Sequence, residues 1–178
     1  HDVKVMHCPG SNLKLGSGIA PVRDMRAHGI TVSLGADGGA CNNRLDMFEE
    51  MRLAAILQAV RHEPGALCAR DALWMATRAG ARTLGLEDEI GSIEVGKLAD
   101  LIVVARDLPH LAPGPDPYST LVYAARGSDV RTTVVGGHVL VDQGVPVRVD
   151  QHEVVAEARQ AARHLAARAG VDVPCIIG

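Results

Sequence analysis

A chain of 178 residues with 47% hydrophobic and 22% charged side chains has the apolar material for a sizeable core, which excludes a disordered tract. A formal net charge of -3, with one Phe, one Trp and two Tyr, offers neither a cationic field for phosphates nor a platform for bases, so no nucleic-acid partner is expected. No apolar run reaches the ~20 residues that cross a bilayer and no signal peptide opens the chain, so no membrane partner is expected and the cytoplasm is the expected compartment.

The chain opens on His1 and passes almost at once into a strand-like run, without an initiator methionine, and so reads as a cut chain. Residues 3–8 and 30–34 are short β-branched runs bounded by Pro9-Gly10 and Gly35, the pattern of strands buried on both faces. Between them residues 19–28 read as a helix that stops at Gly29, so the order is strand, helix, strand, the unit of a parallel α/β fold. A longer helix is predicted over residues 44–60, with Asn42 and Asn43 as caps and a wide apolar arc; residues 71–84 form another, with Gly85 just beyond it. After Glu87 the pattern becomes antiparallel β: residues 93–95 and 101–104 read as strands, and 132–135 and 139–141 flank Gly136-Gly137 as a hairpin. Prolines break the pattern over 107–117, and an Ala-rich helix over 151–169 ends before Gly170.

Two segments carry side chains suited to chemistry. In Leu34-Gly35-Ala36-Asp37-Gly38-Gly39 an acidic residue sits between glycines just past a strand, and α/β folds collect their ligands outside the carboxyl ends of strands. The same residue type also serves in turns, where it accepts backbone N–H bonds, so spacing alone leaves Asp37 open between the two roles. The other segment, His7-Cys8-Pro9-Gly10-Ser11-Asn12, lies at the carboxyl end of the first strand, and His7 on its own reads as a core or loop-anchoring histidine rather than a ligand. A catalytic zinc needs three protein ligands and an open position, yet the chain has no H-x-H and no H-E-x-x-H. His28, His62, His110, His138, His152 and His164 fall in segments read as surface helices or loops. Neither Ser11 nor Ser17 sits in a G-x-S-x-G elbow. Cys8, Cys41, Cys68 and Cys175 are scattered without a C-x-x-C pair and are expected as free thiols that hold no metal.

Taken together, HCPGSNLKLGSGIAPV at 7–22, LGADGGACNNRLDMFEEMRLAAILQ at 34–58 and GSIEVGKLADLIVV at 91–104 resemble the aminohydrolase (deaminase) branch of the amidohydrolase superfamily. Its members include methylthioadenosine/adenosylhomocysteine deaminases, guanine-type deaminases and s-triazine hydrolases. The resemblance implies the C-terminal part of a (β/α)8 barrel in residues 1–86. It implies part of a small β-sandwich in 87–148, with a proline-rich connection and short helical return, and a closing helix and tail in 149–178. A complete barrel takes ~250 residues, so the remainder of the same protein is expected as a partner.

Asp37 matches the family's last-strand metal ligand, and the resemblance makes it both ligand and catalytic proton acceptor, with His7, Ser11 and Asn12 as substrate contacts at the rim. The implied cofactor is one divalent ion, zinc with iron as the alternative, which lowers the pKa of water toward ~7. The implied reaction is hydrolysis of a carbon–nitrogen bond outside peptides, the deamination of a small purine or related heterocycle. A non-catalytic scaffold, or a dechlorinase or amidase on the same site, is the competing reading, and a homo-oligomer stays open. Ala36 and Cys41 stand where the family commonly has Thr and Ser.

Overall fold

The computed structural model describes residues 2–171, so the expectation for Cys175 lies outside the described residues. Strand β1 (Lys4–His7) lies parallel to β2 (Thr31–Leu34), paired from Lys4 opposite Thr31 to His7 opposite Leu34. The crossover between them carries two short helices, α1 (Pro9–Lys14) and α2 (Val22–Ala27). Helix α1 lies in a segment whose glycines read as a loop; Pro9 starts it, because the first helical turn needs no N–H from that position. Helix α2 begins later than residue 19 because Pro21 keeps the residue before it out of the helical region.

Only β2 meets the expectation of burial on both faces. All four of its residues are buried beneath four helices, α2 together with α4 (Met47–Arg61), α5 (Ala69–Ala76) and α6 (Arg78–Leu84). In β1, by contrast, Met6 is exposed and Lys4 and Val5 are half-buried, since those helices centre on its neighbour. The core gathers Val32 and Leu34 with Phe48, Met51, Ala54, Leu67, Ala72 and Met75. Burial of each large side chain contributes about 1.5–3 kcal/mol. Asn42 and Asn43 do not cap α4. Asn42 ends the single turn α3 (Gly39–Asn42), and it is Asp46 whose carboxylate accepts the Phe48 N–H at 2.9 Å and starts α4. The predicted helix over 71–84 is broken between α5 and α6 at Thr77, whose hydroxyl donates to the Leu73 carbonyl at 2.7 Å and competes with the helical pattern.

Strand β3 (Leu101–Val104) is followed by α7 (Pro117–Ser119) and then by β4 (Val130–Val135), β5 (His138–Asp142) and β6 (Val145–Pro146). The four strands form an antiparallel sheet in the order β3-β4-β5-β6. The expected β4–β5 hairpin turns at Gly136 and Gly137, with φ of 54° and 79°, a turn closed to most side chains. Residues 93–95 are not a strand. The Lys97 N–H donates to the Glu94 carbonyl and the Leu98 N–H to the Glu89 carbonyl, so this backbone closes on itself instead of joining a ladder. His138 belongs to β5 and not to a loop. The proline-rich stretch contains the turn Pro109–Leu111; α7 then runs into a π-helical turn, and together they bring Leu111 and Val122 into the core. The last helix, α8 (Gln151–Ala169), is capped by Asp150 and stops at Gly170 in the left-handed conformation. Among the described residues no helix is long and apolar enough to cross a membrane.

Candidate active site

Parallel pairing of β1 and β2 releases both chains at the same edge of the sheet. The Gly35 N–H still donates to the His7 carbonyl at 2.9 Å, and beyond that point the chains part. One turns into α1, which carries Ser11; the other passes through Ala36 and Asp37 into α3. Asp37 is exposed and adopts φ of 61°, a left-handed conformation that Asp tolerates better than most side chains.

Each oxygen of its carboxylate has a donor. The Gly38 N–H donates to Oδ1 at 2.7 Å, the local bond that a turn aspartate makes. The buried Ser11 hydroxyl donates to Oδ2 at 2.7 Å from 26 residues away, and no turn requires that. The Ser11 hydroxyl and the Gly38 N–H hold the Asp37 carboxyl below its usual range, so it is ionised at neutral pH and each oxygen keeps a lone pair for a further partner.

The other two residues singled out by sequence stand close by in the chain without bonding to Asp37. His7 is buried at the end of β1; its Nε2 has no hydrogen-bond partner among the described residues, and burial lowers its pKa to about 4, leaving a neutral imidazole. Asn12 is half-buried in α1, where its N–H donates to the Cys8 carbonyl and its carbonyl accepts the Ser17 N–H. Cys8, Cys41 and Cys68 are free, and burial followed by the charge of Asp37 raises the Cys8 thiol pKa.

Two further side chains join the two segments. Lys14 donates to the Ala40 carbonyl at 2.7 Å and also bonds the Asn43 side chain. Glu50 of α4 accepts the Gly10 N–H at 2.9 Å and the Asn42 side-chain N–H at 2.7 Å. The one signal for Glu50 in the sequence is a carboxylate set among apolar positions of a buried helix face. Among the described residues no three His, Cys, Asp or Glu side chains converge so as to hold a metal ion.

A parallel strand pair with an ionised aspartate at its carboxyl edge is the place where α/β folds collect their ligands, and the comparisons specify the family. Residues 1–140 match the Amidohydrolase family, and the chain belongs to it. It is 52% identical over 169 residues to a 5'-deoxyadenosine deaminase of Methanosarcina acetivorans, covering 94% of this chain and 39% of that protein. It is 51% identical over 156 residues to a 5-methylthioadenosine/S-adenosylhomocysteine deaminase of Moorella thermoacetica, covering 87% of this chain and 36% of the relative. The crystal structure of an adenosine deaminase from Xanthomonas campestris with bound zinc superposes with a TM-score of 0.90 at 42% identity, over 93% of this chain and 38% of that one. The chain thus spans well under half the length of these relatives.

Proposed function

We propose that this chain is the C-terminal part of a metal-dependent deaminase that hydrolyses a carbon–nitrogen bond of a small purine or related nitrogen heterocycle. The observation that carries the reading is the Asp37 carboxylate, ionised and exposed at the carboxyl edge of two parallel strands and aimed by Ser11. Relatives named as deaminases of adenosine derivatives support the substrate class. In this reading residues 1–86 are the last strands and helices of a (β/α)8 barrel, 87–148 belong to a β-sandwich and 149–178 to a closing helix and tail. The remainder of the same protein supplies the other metal ligands.

Asp37 fits the part of one ligand to a divalent ion, zinc by analogy with the solved relative, because it is charged, exposed and already oriented. When bound, such an ion supplies the Lewis acidity that makes water a nucleophile at neutral pH. Asp37 accepts the proton of the attacking water and passes it toward the leaving ammonia as the new carbon–oxygen bond replaces the carbon–nitrogen bond. Ser11 holds Oδ2 while this happens. His7 and Asn12 contact the substrate, His7 as a neutral imidazole. The free thiols suit a reducing, cytoplasmic compartment.

Ammonia release from adenosine, 5'-deoxyadenosine and methylthioadenosine by the zinc-loaded full-length protein is the test. Saturable release from at least one of them is expected; release from none, by folded protein that retains zinc, would contradict the reading.

A further inference from the structure

Among the side chains that join the two post-strand segments, Glu50 is unusual in being 1% exposed. A buried carboxylate is costly to desolvate, and Ala54, one turn further along the same face of α4, is apolar. Among the described residues no Lys, Arg or His forms an ion pair with it; two neutral donors satisfy it instead. The Gly10 N–H bonds Oε2 and the Asn42 side chain bonds Oε1.

Each donor belongs to a different segment of the site. Gly10 immediately precedes Ser11, and Asn42 ends the helical turn that follows Asp37. Asn42 is itself fixed, since its Oδ1 accepts the N–H groups of Arg44 and Leu45 at 3.2 and 3.4 Å. The fit at Gly10 is close: a Cβ there would lie 2.4 Å from Glu50 Oε1 and 2.9 Å from Asn42 Nδ2. The clasp therefore closes directly on backbone, with no side chain between to absorb a shift.

We infer that Glu50 is a positioning residue for Asp37: by holding Gly10 and Asn42 at a fixed spacing it sets the distance across which Ser11 orients the carboxylate. The inference rests on the reading of Asp37 as proton acceptor. Two variants of the full-length, zinc-loaded protein test it. In Glu50→Gln one arm of the clasp sets a donor against a donor. Adding Asn42→Asp reverses donor and acceptor across that arm, while the new amide oxygen still accepts the Gly10 N–H.

Glu50→Gln is expected to speed amide hydrogen exchange in residues 8–14 and 36–43. It should lower kcat about 10- to 100-fold, the range found when partners of metal ligands are removed, with KM within about threefold. The double variant should restore both. Exchange in Glu50→Gln equal to wild type overturns the inference. So does a double variant that melts at the wild-type temperature without recovering kcat. If Glu50→Gln is too unstable to assay, the double variant decides. If wild type releases no ammonia, the deaminase reading fails, and exchange in the two segments still decides the clasp.

Discussion

Around the ends of β1 and β2, side chains make the connections. Ser11 reaches Asp37, Glu50 meets Gly10, and Lys14 meets Ala40, over separations of 26 to 40 residues. In the β3–β6 sheet, backbone ladders join strands, two of its three pairings link neighbours in sequence, and Ile102, Val103, Val135 and Val139 are substantially exposed. The first region is specified by polar contacts between residues distant in sequence, gathered around the proposed reactive group, Asp37. The second is specified by turns and local pairing. Damage to the first should therefore appear in chemistry before it appears in stability, and damage to the second in the reverse order.

The largest effect is expected at Asp37. Asparagine there tolerates the left-handed backbone and the Gly38 bond but cannot take a proton, so turnover should fall about 10²–10⁴-fold in a folded protein. His7 comes next, through pH. Its folded pKa of about 4 lies below the unfolded value of 6.5, so its contribution is fully present above 6.5 and is lost as pH falls through 6.5 toward 4. Urea unfolding at pH 7 and pH 4 should show wild type losing on the order of 3 kcal/mol more than His7→Leu; equal losses would place the acid sensitivity elsewhere.

In the other region, Gly137→Val puts a β-branched residue at φ of 79° and should cost roughly 1–3 kcal/mol by thermal melting while kcat is unchanged. A drop in kcat at unchanged stability would break the contrast between the regions. The smallest effect belongs to the exposed Arg131–Asp107 pair, where Asp107→Asn should change stability by no more than about 0.5 kcal/mol.

What could be read in the sequence divides along the same line. The hairpin at Gly136-Gly137, the two parallel strands and α8 were legible because period and turn residues act over a few positions. Thr77 and residues 93–95 were not, because apolar period does not register a hydroxyl that bonds back to Leu73 or a short backbone segment that closes on Glu89 and Glu94 instead of joining a ladder. Asp37 stood out as an acid past a strand. Glu50 did not: its role depends on the rotation of α4 and on two partners, one of them 40 residues away. The other ligands that the proposed metal site requires have no counterpart among the motifs of this chain.

The most direct test of the account compares kcat and zinc content of full-length Asp37→Asn with wild type, using circular dichroism to confirm the fold. A folded variant with weakened zinc retention and turnover at least a hundredfold lower is the predicted result. Turnover within threefold of wild type at full zinc occupancy would reduce Asp37 to a turn residue and contradict the account.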